Sequence, residues 1–163
     1  MERPIWAPWR IKYILGKKEP GCIFCDAIAG DDDPGSLVLF RGKTAFVIMN
    51  LYPYNPGHLM VTPNRHVSGL GELDRECQAE VMDLTAKCID ILKSKLKPHG
   101  FNAGFNLGET AGASIKEHLH MHVVPRWQGD NNFMAVLADI DVVPQALEDT
   151  YRLLQPSFAE LSP

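Results

Sequence analysis

The stretch from Asp74 to Lys97 constrains the fold most, because it reads as one long amphipathic helix in a chain otherwise built of short apolar runs. Val81, Thr85, Cys88 and Leu92 recur at helical spacing, with Met82, Ile89 and Leu96 beside them, which predicts one buried stripe. Asp74 is placed to cap its start. Lys93, Lys95 and Lys97 suit the negative end of its dipole, and Pro98 and Gly100 stop it. The other apolar runs are short, partly β-branched and bounded by Gly, Pro or Asn. They are LVLF (37–40), TAFVIMN (44–50), HLMVTP (58–63), FNAGFNLG (101–108) and HLHMHVVP (118–125). The first two read as a hairpin. Residues 127–139 read as a long loop and 143–155 as a short helix. About five strands, one long helix and a short C-terminal helix predict an α+β domain on an antiparallel sheet.

At 163 residues and 45% hydrophobic, the chain has enough apolar content for one domain, expected over 21–163 after an N-terminal extension of 1–20. Two tryptophans, Trp6 and Trp9, predict that the extension docks on its own domain or on a partner subunit. MERPIWAPWRIKYI has no apolar core of a secretory signal, and no run is long enough to span a membrane. A net charge of −4 disfavours nucleic acid as a partner, which usually needs a basic face. Cys77 and Cys88 lie eleven residues apart on the predicted helix, about 16 Å along its axis, too far to bridge. They are expected to be small core residues, and a reducing cytoplasm is the simpler home.

In EHLHMHVV the histidines 118, 120 and 122 alternate with Leu119, Met121 and Val123. On a strand this puts the imidazoles on one face and the apolar residues against the core. His118 and His122 would then sit about 13 Å apart at Cα. Bonds to zinc of about 2 Å cannot bring both onto one ion. A row of imidazoles suits phosphate chemistry instead, with one nitrogen as nucleophile and its neighbours donating to phosphoryl oxygens.

The row, with CIFCDAI, FVIMNLYPYNPGHLMVTPNRHV, GFNLGETAGAS and HLHMHVVPRW in order over about residues 20–128, resembles the histidine triad (HIT) family of nucleotide hydrolases and transferases. WAPWR and PRWQGDNNFM are similar to its diadenosine-polyphosphate phosphorylase or hydrolase branch. The resemblance implies that His120 attacks the α-phosphate of an adenine nucleotide conjugate and carries a covalent nucleotidyl intermediate. It implies that His122 binds phosphate oxygens, that His118 orders the site, and that Asn106 and Ser114 contact the phosphates or leaving group. One more residue than usual separates Ser114 from His118, so this loop must bulge, and Ala113 stands where the branch has Gly. Lys116 and Glu117 bear on the same contacts. Ile23 and Phe24 match the residues that hold the base, with core packing as the rival explanation. Asn50 and Leu51 match the ribose site, and His58 a further supporting histidine.

Cys22-Ile-Phe-Cys25 is half of a common zinc site. Some members of the family complete such a pair with a Pro-x-x-His histidine and the triad's first histidine, which implies a structural zinc on Cys22, Cys25, His66 and His118. The family also implies a homodimer. A nucleoside phosphoramidate hydrolase and a non-catalytic nucleotide-binding sensor or interaction protein remain as alternatives.

Overall fold

A computed structural model describes residues 21–113, 115–130 and 146–162. The N-terminal extension, Ser114 and most of the loop predicted at 127–139 lie outside the described residues. In chain order the elements are α1 (Ile23–Ala29), α2 (Asp33–Ser36), β1 (Val38–Arg41), β2 (Ala45–Met49), β3 (Leu59–Pro63), α3 (Arg75–Leu96), β4 (Gly100–Phe105), β5 (Met121–Arg126) and α4 (Leu147–Ala159). Single 3-10 turns lie at Leu70–Glu72 and Glu109–Ala111. The strands form one sheet in the order β1-β2-β3-β5-β4, with every pair antiparallel.

The long helix matches its prediction at both ends. Asp74 is the N-cap and its carboxylate accepts from the Cys77 N–H at 2.8 Å. Lys97 closes the helix in the left-handed region at φ 49°. Val81, Leu84, Thr85, Cys88 and Leu92 form the buried stripe. Met82, expected beside it, is instead 56% exposed. A one-residue step turns the helix by about 100°, which carries Met82 off the stripe and gives the position to Leu84.

Two apolar layers cover the two faces of the sheet. On one, Val47, Met49, Leu59, Val61, Met121 and Val123 pack with the α3 stripe and with Leu154 and Phe158 of α4. On the other, Phe46, Ile48 and Met60 meet Phe24 and Ala27 of α1, a helix the sequence reading missed. The register of β1 against β2 slips at Leu39, a bulge that puts the adjacent Leu39 and Phe40 in the same layer while Val38 serves the other. The last helix falls at 147–159, later than the 143–155 expected.

The sidedness of the histidine row is as expected, since Leu119, Met121 and Val123 all enter the α3 layer. Its regular strand geometry is not. β5 starts only at Met121, because Pro63 has no N–H to continue the ladder beyond Val61–Met121. Thr62 Oγ1 donates to the Leu119 carbonyl at 2.8 Å, and the Leu119 N–H bonds Val67 O at 2.7 Å. His118, at a bend, and His120 therefore lie outside the regular strand, free to aim their rings separately.

Gly57 closes the loop between β2 and β3 at φ +76°, and a Cβ there would stand 2.5 Å from Leu96 and 2.9 Å from Leu92. Only glycine lets this loop sit down on the end of α3. No described helix is long and apolar enough to cross a membrane.

Candidate active site and metal centre

Four histidines carry their protons where the main chain dictates. A backbone N–H only donates and a carbonyl only accepts, so each bond to one fixes a ring nitrogen. The His118 Nε2–H donates to Pro63 O at 2.9 Å, which leaves Nδ1 as a lone pair. The His120 Nδ1–H donates to the His118 carbonyl at 2.8 Å, which leaves Nε2 as a lone pair. At His58 the order is reversed. The Tyr54 N–H donates to its Nδ1 at 3.2 Å, so the proton sits on Nε2 and is donated to His122 Nδ1 at 2.9 Å. His122 must then carry its own proton on Nε2. Asn50 reinforces this direction. Its Oδ1 takes the Tyr52 N–H at 2.9 Å, which turns its amide nitrogen toward His58 Nδ1 at 3.3 Å.

Neighbouring rings therefore face outward with opposite chemistry, a lone pair on His120 and an N–H on His122. Their centroids are 4.8 Å apart. The arrangement needs neutral imidazoles. Burial, and then the His122 and His120 imidazoles, hold the His58 pKa at about 3. Burial, and then His120, hold His122 at about 4. Burial also lowers His120, opposed by its bond to the His118 carbonyl.

This depression has a stability consequence. The unfolded chain takes up a proton at His58 near pH 6.5, whereas the folded chain does not until about pH 3. Acid therefore favours the unfolded state, and the stability present above pH 6.5 is lost as pH falls through that window. One such histidine steepens the loss by about 1.4 kcal/mol per pH unit. Urea unfolding of wild type and His58→Gln between pH 7 and pH 5 checks this. Averaged over that range, the variant's pH slope should be shallower by about 1 kcal/mol per pH unit, since the full effect is reached only well below pH 6.5.

A second cluster lies behind the first. Cys22, Cys25, His66 and His118 bring their ligand atoms within 4.8 Å of one another, and together they could hold a metal ion. Cys22 Sγ is 3.2 Å from His118 Nδ1, Cys25 Sγ is 3.2 Å from His66 Nδ1, and Cys25 Sγ is 3.6 Å from His118 Nδ1. The tautomer that Pro63 imposes turns the His118 lone pair toward the sulfurs. His118 thus belongs to both clusters, with its ring among the sulfurs and its carbonyl under His120. Phe24, fully buried between the two cysteines in sequence, touches both His118 and His120 with ring centroids 5.2 and 5.1 Å away.

The remaining expected residues fall around this centre. Ile23 is 54% exposed beside Phe24 and Leu51 is 47% exposed beside Asn50, so Ile23, not Phe24, is open to a ligand. The ladder's last pair on this side is Phe105 with Met121, so Asn106 is the first residue after β4 and His120 the last before β5. Lys116 is paired with Glu109 at 2.9 Å across the preceding loop, and Ala113 is buried. Arg41 was not anticipated. It donates to the carbonyls of Ala27, Ile28 and Gly30 and to Asp33, which pins the end of α1 to β1 and so seats Phe24. Nothing in the short RGK segment marks it out.

The HIT domain family model matches residues 34–129, more than half of the chain. The chain belongs to the HIT family. The AP-4-A phosphorylase of Mycobacterium tuberculosis (strain ATCC 25618 / H37Rv) is 46% identical to this HIT protein over 95% of the chain and 84% of the relative. The asymmetrical bis(5'-nucleosyl)-tetraphosphatase of Schizosaccharomyces pombe is 30% identical over 59% of the chain and 52% of the relative. Among solved structures, a Zn-bound histidine triad family protein from Mycobacterium smegmatis has a TM-score of 0.68 at 25% identity, covering 86% of this chain and 94% of that one. A histidine triad nucleotide-binding protein from Sulfolobus tokodaii has a TM-score of 0.65 at 26% identity, covering 85% and 90%.

Proposed function

We infer that this HIT protein cleaves diadenosine polyphosphates at an α-phosphorus through a nucleotidyl–His120 intermediate. The observation that carries the reading is the opposed pair of tautomers, a lone pair on His120 Nε2 beside an N–H on His122 Nε2. His120 attacks the α-phosphorus, a P–N bond forms, and the bond to the bridging oxygen breaks with its electrons leaving on the polyphosphate. An oxygen of water or orthophosphate then attacks the same phosphorus and the P–N bond breaks. Charge that builds on the phosphoryl oxygens meets the His122 N–H. Asn106 and Ser114 contact the phosphates or leaving group, Ile23 and Leu51 offer apolar surface to the nucleoside, and Asn50 serves the ribose. The 46% identity to a protein named AP-4-A phosphorylase supports this substrate over a phosphoramidate or a sensor role.

The metal of the second cluster is zinc in this reading. A tetrahedral zinc, with bonds of about 2.3 Å to sulfur and about 2.0 Å to nitrogen, sets S···N edges near about 3.5 Å. Three of the six separations, at 3.2 to 3.6 Å, match that edge, all six lie within 4.8 Å, and the His118 tautomer points the right way. A closed Cys₂His₂ site is structural: zinc would tie α1 to the segments before α3 and β5, and the chemistry stays with His120 and His122.

The protein acts as a cytoplasmic homodimer in this account. Its four cysteines are free, and the edge strand β4 borders an open apolar cleft of about 490 Å³ lined by Leu70, Leu73, Val81, Met82 and Phe105.

Diadenosine tetraphosphate, incubated with and without orthophosphate, tests the function. ATP with ADP only when phosphate is present indicates phosphorolysis, and ATP with AMP in its absence indicates hydrolysis. No cleavage under either condition contradicts the reading and returns the phosphoramidate and sensor alternatives.

A further inference from the structure

The direction of the His58–His122 relay is imposed at His58 Nδ1 by the Tyr54 N–H and by the Asn50 amide that the Tyr52 N–H orients, and Tyr52 and Tyr54 both sit on a loop held from outside. Asn55 is the holder. Its side-chain amide donates to Pro125 O at 2.8 Å and to Asp130 Oδ2 at 2.8 Å, while its carbonyl accepts the His58 N–H at 3.1 Å. Asp130 is fixed in turn. It takes the Arg126 Nε–H at 2.6 Å, an Arg126 Nη2–H at 2.9 Å and the Trp127 N–H at 3.1 Å. Arg126 also donates to Asn102 of β4 at 2.7 Å, so the assembly is anchored on two strands. The Asp130 side chain is only 11% exposed, and a two-pronged pairing of this kind resists rotation.

We propose that Asn55, Asp130 and Arg126 form a positioning clasp that holds the Tyr54 N–H against His58 and thereby makes His122 a hydrogen-bond donor toward substrate. None of the three needs to touch substrate. If the loop moves away, His58 Nδ1 loses the Tyr54 N–H, Asn50 loses the Tyr52 N–H that orients its amide, and the imidazole is free to place its proton on either nitrogen. With the proton on Nδ1, His58 Nε2 becomes an acceptor. His122 then turns its own proton inward, and a lone pair faces the phosphoryl oxygens where an N–H is needed. The catalytic pair would still be present, with one member of the wrong polarity. Arg126 ends β5, four residues beyond His122 in sequence, so the clasp couples the loop after β2 to the strand that carries His122. This inference rests on the role given to His122 under the proposed function.

Asp130→Asn and Asn55→Ala test it, with Arg126→Lys as the variant of smaller change should either fail to fold. Each is first matched to wild type by circular dichroism and by metal content, which the clasp should not alter. On diadenosine tetraphosphate, kcat should fall about 10- to 100-fold with KM within about threefold, as expected when a catalytic group is misplaced. Long-range ¹⁵N–¹H spectra of the imidazoles supply the decisive readout. Wild type should show His122 protonated at Nε2, and the variants should show a mixture of tautomers or the reverse one. Folded variants that keep the wild-type His122 tautomer overturn the proposal, whether or not kcat falls. If wild type does not cleave the dinucleotide, the proposed function fails, while the imidazole spectra still test the clasp.

Discussion

Replacing His120 with alanine is expected to lower kcat by about ten-thousand-fold or more while nucleotide affinity changes by less than about tenfold. The asymmetry follows from where the other contacts lie. His122 receives its direction from His58 and not from His120, so its outward N–H survives the substitution. The exposed apolar rim of Ile23 and Leu51 is also untouched. What disappears is the one lone pair that the His118 carbonyl holds in place. His122→Ala should cost less, about 100- to 1000-fold in kcat, because it removes a donor to the transition state and leaves the nucleophile. Single-turnover cleavage of diadenosine tetraphosphate, together with equilibrium binding of a non-cleavable analogue, separates the two effects. Turnover within tenfold of wild type in His120→Ala would place the nucleophile elsewhere.

Cys22→Ser has the second large effect expected, on stability and metal content together. Wild type should purify with close to one zinc per chain, and the variant with less than about a tenth of that. The four candidate donors come from three separate segments, the start of α1, the turn after β3 and the irregular stretch leading into β5. Losing the ion releases all three. A loss of about 3 to 5 kcal/mol would lower the thermal midpoint by about 10 °C or more in a chain of this size. Activity should fall as well, because the His118 carbonyl that orients His120 belongs to a residue whose ring is one of the four candidate ligands. Metal analysis beside a melting curve checks both. Zinc content and midpoint unchanged from wild type would mean that the four residues are not a metal site.

Particular elements show what the sequence made legible. The long helix could be read almost to the residue, because Asp74 and the Pro98–Gly100 stop are local signals that act through the backbone. The strand runs were equally plain, since each is short, apolar and bounded by turn residues. The start of β5 was not, because Pro63 on a neighbouring strand ends that ladder, and a partner's missing N–H leaves no trace in HLHMHVV itself. α1 is only 7 residues long and begins at the CxxC pair, so helical periodicity had no length over which to show. Within the site, the candidate metal ligands were readable as residue types but became a set only through family resemblance, since the Cys22–Cys25 pair, His66 and His118 lie tens of residues apart. The relay was the least readable part. Its direction is set by the N–H of Tyr54 and the carbonyls of His118 and Pro63, and main-chain groups carry no residue identity.

The stereochemical course at the α-phosphorus tests the covalent account most directly. A diadenosine tetraphosphate carrying sulfur in one configuration at the attacked α-phosphorus is cleaved in the presence of orthophosphate, and the configuration of the α-thio ADP product is determined. Two in-line displacements, first by His120 and then by phosphate, predict net retention. Net inversion would mean a single direct displacement, with no nucleotidyl–His120 on the path.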